Sequence, residues 1–361
     1  MDTVFDPAQF GDIPLGSRLV MSGMTRQRAD AEGTPTETMT TYYSQRAAAG
    51  LIIAESTHPS WTGKNQPGSP HMITDADEQA WKQVVDAVHD NGGTIVLQLM
   101  HAGGNAHPTV NGDRTPVAPS DVIPTETIRV GADKLPHARP QALTQAGMRE
   151  VIDDFAQAAR RAMAAGFDGV EIHAGNGFLL HQFLSPQTNT RTDQYGGTPQ
   201  DRCRFPIAVI DAVTEAIGAA RVGLRISPGA SITSLHELDL LTQYGQLLAQ
   251  PEVQDLAYLH TTSTSAPEII EQMRSLWHGR WIHNMGTDPT TPASEVLSRA
   301  TSALARGTDA VSLGRLFIAN PDLPRRLATN ATLATPDFTT FYTGGARGYT
   351  DYTPLETETT S

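Results

Sequence analysis

Residues 144–176 run TQAGMREVIDDFAQAARRAMAAGFDGVEIHAGN, and the reading of this stretch decides the fold class. Met148, Val151, Ile152, Phe155, Ala159 and Met163 fall on one face at helical spacing, Thr144 stands where an N-cap belongs, and Gly166 ends the run. Arg160 and Arg161 approach the C-terminus, where cations oppose the helix dipole. Residues 169–172 then form a short run of strand length, apolar except for Glu171, and a polar loop follows from His173. Helix, glycine, buried strand and polar loop, in that order, are the closing half of a βαβ unit.

Working outward, the same alternation recurs. Strands are expected at 19–21, 51–54, 94–98, 169–172, 222–226, 256–260, 281–283 and 309–313. Helices fit 78–89, 200–217, 235–249 and 292–305, with a short one after Pro321. Eight strands alternating with helices suit a closed barrel or a doubly wound sheet, and periodicity cannot choose between them. No Gly-x-Gly-x-x-Gly turn follows any strand, as a dinucleotide-binding sheet normally requires, so the expected fold is α/β, a (β/α)8 TIM barrel. At 361 residues one such domain can span the chain. Residues 102–143, rich in Pro, Gly and polar side chains, read as an elaborated loop after strand three, and 355–361 as a frayed tail.

Charge and composition narrow the partners. A net charge of −13, with no runs of Lys and Arg, argues against nucleic acid. The N-terminus lacks a basic start with a long apolar run, and no stretch of roughly 20 apolar residues occurs, so neither secretion nor membrane insertion is expected. The single cysteine, Cys203, excludes an intrachain disulfide and suits a reducing compartment, so a cytoplasmic location is expected.

In a barrel the strand ends converge on one pocket. The polar residues there are Thr25, Glu55, Gln98 with His101, His173 with Asn176, Arg225, His260, Asn284 and Arg315. A His and an Asn three residues apart can aim two N–H donors at one oxygen, although a turn-forming Asn before Gly177 and a loop-capping His read equally well. Gln98 offers a donor and an acceptor to a pyrimidine-like edge; a buried Gln bonded to backbone is as common. Gly314–Arg315, with Met285 and Gly286, suits a phosphate, since barrels often bind phosphate after strands seven and eight; Gly-Arg alone is a weak pattern.

Several of these segments resemble the Old Yellow Enzyme family: 17–28 (SRLVMSGMTRQR), 42–55 (YYSQRAAAGLIIAE), 98–101, 173–197 with its LLHQFLSP and RTDQYGG, 224–228, 257–260, 314–323 and 344–352. The similarity spans nearly the whole chain, and 173–197 is its most specific part. It implies an FMN-bearing barrel that accepts hydride from NADPH or NADH and passes it to the β-carbon of an α,β-unsaturated carbonyl compound. It assigns Gly23, Met24 and Thr25 to the inner edge of the flavin, and Ala54 and Gln98 to the pyrimidine side. Arg225 falls by N1 and O2, and Met285, Gly286, Gly314 and Arg315 at the phosphate. His173 and Asn176 map to the pair that holds the substrate carbonyl. Phe341 and Tyr342 map to a C-terminal loop lining the pocket, which Met100 and Phe178 complete.

The chain departs from the family pattern at Phe178, where a proton-donating Tyr is usual, and at Gly23, Met100, Gly104 and Asn284. Phenylalanine has no exchangeable proton. Water or another side chain, Tyr342 among them, then protonates the α-carbon, or the reaction becomes an isomerisation or another flavin chemistry. Two further readings compete: a metal-dependent barrel hydrolase using His101, His173, His260 and His283, and a non-catalytic binding barrel. A metal site is not expected, because the first strand ends in Met24–Thr25 and no carboxylate follows strand eight.

Overall fold

The computed structural model describes residues 2–130, 133–230, 235, 237, 239–262 and 267–355. Eight parallel strands close into one barrel in chain order. They are β1 Leu19–Met21, β2 Leu51–Ile53, β3 Ile95–Leu99, β4 Gly169–His173, β5 Val222–Ile226, β6 Tyr258–Thr262, β7 Trp281–Asn284 and β8 Ala310–Leu313. The barrel closes where Val311–Leu313 of β8 pair with Leu19–Met21 of β1. The expected (β/α)8 barrel is the observed fold.

The helices are α1 Glu37–Ser44, α2 Asp75–His89, α3 Gln145–Ala164, α4 Leu179–Leu184, α5 Pro199–Ile217, α6 Leu240–Leu248, α7 Pro251–Gln254, α8 Pro267–Leu276, α9 Ala293–Ala305, α10 Arg315–Ala319 and α11 Leu323–Ala328. Thr144 caps α3 by accepting the Gly147 N–H, and Gly166 leaves the helix end at φ 94°, the left-handed conformation glycine adopts without strain.

Three boundaries differ from expectation for identifiable reasons. α2 begins at Asp75 because Thr74 and Asp77 form a reciprocal capping box. β6 begins two residues late: the Leu256 N–H closes a turn on the Val253 carbonyl, and the Ala257 N–H donates to the Ala219 and Val222 carbonyls at the foot of β5. α6 begins at Leu240, not 235, since Glu237 is committed to the Gly229 N–H and the Tyr244 hydroxyl; residues 231–234, 236 and 238 lie outside the described residues.

Both faces of a parallel barrel are covered, which is why β2 to β6 and β8 are buried at every position. The lower interior is apolar. Phe10, Ile13 and Leu15, from a hairpin of Ala8–Phe10 and Ile13–Leu15, pack with Val20, Leu51, Ile53, Val96, Tyr258, Ile282 and Ala310. Each such side chain contributes about 1.5–3 kcal/mol of transfer free energy. The hairpin needs glycine at its tip: Gly11 sits at φ 55°, and a Cβ there would come within 2.2 Å of the Ala220 carbonyl oxygen. With that end filled, the open end is the one where the strand C-termini emerge.

The segment 102–143 carries structure of its own. Val117–Ala118 pairs with Gln141–Ala142, and Thr127–Val130 forms an antiparallel ribbon with Asp133–Pro136. At the C-terminus the Leu355 N–H donates to the Asp322 carboxylate at 2.7 Å. Residues 356–361, the rest of the expected frayed tail, lie outside the described residues.

Candidate active site

The upper interior of the barrel is polar, buried and hydrogen-bonded from wall to wall. Gln98 on β3 donates to Glu171 on β4 at 2.7 Å and accepts from the Ser56 hydroxyl at 2.6 Å. The other Glu171 oxygen meets His260 Nδ1 of β6 at 2.8 Å, and His260 Nε2 meets the Ser312 hydroxyl of β8 at 2.8 Å. Beside them Arg225 on β5 donates to the Ser22 hydroxyl at 2.9 Å, and the same oxygen receives Asn284 Nδ2 at 3.2 Å. Arg225 is only 7% exposed, yet its Nε has no partner. A buried, unpaired guanidinium N–H is costly unless something fills its place.

Above this floor the predicted residues come together in three groups. Gly23, Ala54 and Gln98 meet so closely that a Cβ on Gly23 would lie 2.9 Å from the Ala54 oxygen and 3.0 Å from Gln98 Nε2. Gly314 abuts Met24, whose Sδ would be 3.2 Å from a Cβ on that glycine. Thr25, half exposed, follows Met24 directly. At the ends of neighbouring strands β7 and β8 stand Met285, Gly286, Gly314 and Arg315. Arg315 is exposed, and the charge it carries helps hold the Asp288 carboxyl below its usual range, after that group's hydrogen bonds with Thr290.

The third group follows β4. The Gly175 N–H donates to His173 Nδ1 at 3.2 Å, which leaves the ring proton on Nε2. Asn176 Nδ2 lies 3.4 Å from that Nε2, so two donors are held side by side. Asn176 reaches this place through a left-handed backbone, φ 53°, fixed by its N–H donating to the Ser227 hydroxyl at 2.6 Å. Gly175 is required for the approach, since a Cβ would sit 2.7 Å from that hydroxyl. Burial, helped by the Arg225 charge, holds the His173 pKa well below that of a free imidazole. His173 is therefore a neutral donor at working pH. A pH profile of kcat/KM should show no His173 inflection between about pH 6 and about pH 9. An inflection near 6.5 that vanishes in His173→Asn would contradict this.

Phe178 stands edge-on to His173, ring centroids 5.0 Å apart at 85°, and packs with Met100, Ala102 and Ala106. The C-terminal segment is strapped to the exit of β1. Arg26 donates to the carbonyls of Phe341 at 3.0 Å and Gly348 at 2.8 Å, Arg28 donates to Thr340 at 2.7 Å, and Tyr349 stacks on Tyr42 at 4.0 Å. Phe341 is half-buried there. Tyr342 is 49% exposed and makes neither a ring contact nor a hydrogen bond with His173 or Asn176.

Not every strand-end polar residue faces the mouth, contrary to the sequence expectation. Glu55 is buried beneath it, accepting from the Arg26 N–H at 3.0 Å and the Tyr43 hydroxyl at 3.2 Å. His101 turns away from the mouth, meeting Thr62 of the loop after β2 at 3.2 Å and the Gly103 N–H of its own loop at 3.0 Å. His260 is a mid-strand interior residue with both nitrogens engaged, and His283 meets Thr261 at 3.2 Å. Among the described residues no three His, Cys, Asp or Glu side chains group as metal ligands.

The buried histidines set an acid limit on stability. Burial pushes His58 and His101 down to about 3 and His283 down to about 4. Native rings stay neutral while unfolded ones take a proton below 6.5, so their contribution is full above that pH and lost as pH falls toward 4. Glu55, pushed up to about 7, and Asp154, up to about 6, act in the opposite sense, but fewer groups pull that way. The melting temperature should therefore fall from pH 7 to pH 5, each histidine contributing up to about 2 kcal/mol. A higher melting temperature at pH 5 would contradict it.

Supporting residues, several of them inside the LLHQFLSP and RTDQYGG runs, have roles that the sequence reading did not assign. Gln182 donates to Ala102 and Gly177 carbonyls and accepts from the Gly104 N–H, Asn105 donates to the Gly177 carbonyl, and His181 Nδ1 accepts from the Gly177 N–H. These bonds tie the loops after β3 and β4 into one rim. Asn189 and Arg191 brace the rim from behind through carbonyls of Phe183, Tyr195, Pro119 and Leu143. Dense backbone bonding of this kind is why the segment 173–197 carries so many fixed side chains.

The mouth of the barrel thus joins a glycine-lined slot, a buried guanidinium, two adjacent N–H donors and a turn at β7 and β8, an arrangement that suits a barrel enzyme with a nucleotide-like cofactor. Residues 3–334 match the model of the NADH:flavin oxidoreductase / NADH oxidase family. A probable flavin mononucleotide-dependent alkene reductase from Leishmania infantum is 38% identical over 366 residues, covering 98% of this chain and 97% of that protein. A solved structure of morphinone reductase in complex with tetrahydroNAD is 40% identical with a TM-score of 0.91, covering 99% and 98% of the two chains. The Old Yellow Enzyme homologue from Zymomonas mobilis is 36% identical with a TM-score of 0.92, covering 98% and 100%. The chain belongs to the NADH:flavin oxidoreductase / NADH oxidase family, the Old Yellow Enzymes, and is an FMN-dependent oxidoreductase with a nicotinamide reductant. Among the described residues no helix is long and apolar enough to cross a membrane.

Proposed function

We propose that the chain is an ene-reductase that works at the mouth of its barrel on a small α,β-unsaturated carbonyl compound, with His173 and Asn176 as the groups that bind the carbonyl oxygen. The observation that carries this reading is the pair of donors 3.4 Å apart, one on a neutral imidazole whose other nitrogen is already satisfied. An oxygen that gains negative charge as the β-carbon is reduced is stabilised by such fixed donors, which need no reorganisation during the reaction.

The residues present fit FMN. The orphaned Arg225 Nε supplies a buried cation for an electron-rich ring edge, Gly23 leaves a cradle that any Cβ would fill, and Gln98 presents one remaining N–H and one oxygen lone pair. Bound there, FMN would supply the hydride-transfer chemistry between NADPH or NADH and the substrate. Gly23, Met24, Thr25, Ala54, Gln98 and Arg225 hold the ring, and Met285, Gly286, Gly314 and Arg315 the phosphate. His173 also borders the ring. Met100, Phe178 and Phe341 shape the pocket, with Tyr342 at its rim. The reading places this chemistry in one domain, in the cytoplasm, with a small-molecule substrate and no nucleic-acid or membrane partner.

Phe178 favours a second reading. The residue beside His173 carries no exchangeable proton, so protonation of the α-carbon falls to water, or the enzyme migrates the double bond instead. Incubation with NADPH and 2-cyclohexenone tests both readings. Saturated ketone formed with equimolar NADPH consumption supports reduction; enone isomers without NADPH consumption support isomerisation; no turnover of any enone removes both. Under the reduction reading, Phe178→Tyr should speed the enone half-reaction at least about tenfold, because a positioned general acid typically contributes about 10²–10⁴. Stopped-flow re-oxidation measures it, and an unchanged rate means water already reaches the α-carbon efficiently.

A further inference from the structure

The group under the proposed flavin slot that no role yet uses is Glu171. It is completely buried, and it sits in register with Gln98 across the β3–β4 pair. One oxygen takes the Gln98 amide N–H at 2.7 Å, and the other takes His260 Nδ1–H at 2.8 Å. Because the Glu171 carboxylate can only accept, a neutral His260 carries its one proton on Nδ1, which leaves Nε2 to accept from the Ser312 hydroxyl. Burial keeps His260 neutral, and although burial also opposes its charge, Glu171 is held below the usual carboxylate range by His260 and Arg225. The floor thus carries one anion and one cation, Glu171 and Arg225, on adjacent strands.

The Gln98 amide has two ends, and Glu171 and Ser56 between them leave it one orientation. An amide flipped end for end would set its carbonyl oxygen against the carboxylate and its NH2 against Ser56. We infer that Glu171 is a positioning residue for the flavin reaction: it locks the Gln98 amide in the one orientation that offers its free N–H and oxygen to the ring, and its charge partly offsets that of Arg225. This inference rests on the reading of the barrel mouth as the FMN site. Two consequences separate. Loss of the lock weakens FMN binding, and loss of the anion leaves Arg225 uncompensated, favouring the reduced, more negative ring and moving the midpoint potential upward.

The test compares wild type with Glu171→Gln, Glu171→Asp and Ser56→Ala, measuring the FMN dissociation constant by fluorescence, the midpoint potential of bound FMN, and the melting temperature of each apoprotein. Glu171→Gln should raise the dissociation constant about tenfold and shift the potential positive. Glu171→Asp keeps the charge, so it should weaken binding while leaving the potential close to wild type. Ser56→Ala releases only the amide's oxygen end, so it should weaken binding several-fold with an unshifted potential, and it keeps the test open if Glu171→Gln does not fold. Variants that only lower the melting temperature, with the dissociation constant and potential unmoved, overturn the inference. Wild type that binds no FMN would instead overturn the underlying reading of the site.

Discussion

Replacing His173 with Ala should lower kcat/KM for 2-cyclohexenone by about 10²–10³ while FMN stays bound. The substitution removes the Nε2–H donor and leaves Asn176 to hold the oxygen alone, in a site where a lost donor to developing charge is not replaced by bulk water. FMN retention is expected because Gly23, Gln98 and Arg225 keep their contacts. His173→Asn restores a neutral donor of shorter reach and should recover part of the loss. Steady-state kinetics with the flavin content of each variant gives the answer, and a His173→Ala enzyme within about threefold of wild type would exclude the ring from oxygen binding. Changing Asn176 as well should cost less than the product of the two single effects, because the donors serve one oxygen.

The second large effect is expected at Arg225. Arg225→Met keeps much of the volume but deletes the buried cation, its bond to Ser22 and the unpaired Nε–H. Charge-assisted hydrogen bonds are worth about 1.5–3 kcal/mol, so the FMN dissociation constant should rise by about 10–100-fold. The midpoint potential of any FMN retained should fall, since the cation that favours the reduced ring is gone and Glu171 remains as an uncompensated anion. Equilibrium dialysis and a spectroelectrochemical titration measure the two quantities separately. Unchanged FMN affinity would mean that the guanidinium meets solvent instead of a ring.

These expectations draw on residues of unequal legibility. The barrel was readable because α3 and β4 announce themselves: an unbroken helical face from Met148 to Met163, a Thr cap and a terminal glycine leave little choice of structure. His173, Asn176, Gln98 and Arg225 were readable as strand-end polar residues and as positions in a family pattern. Strand-end position alone misled at Glu55, His101 and His260, because one residue of register decides whether a side chain faces the mouth, the floor or the rim. For His260 the shift came from Leu256 and Ala257, which precede the strand although their apolar side chains look like part of it. The hairpin that plugs the barrel was missed, since three-residue strands carry no period. The shell around the site was also silent. Ser22, Ser56 and Ser227 act through single hydroxyls aimed at Arg225, Gln98 and Asn176, and a lone serine bears no signal of its partner across 42 to 203 residues of chain.

The most direct measurement is an anaerobic absorption titration of the purified protein, first with NADPH and then with 2-cyclohexenone. An FMN-loaded protein should show a flavin band that NADPH bleaches stoichiometrically and the enone restores, with His173→Ala bleaching normally and recovering about 10²-fold or more slowly. A protein that retains no flavin on reconstitution, or one in which the enone restores colour equally fast in wild type and His173→Ala, would contradict the account.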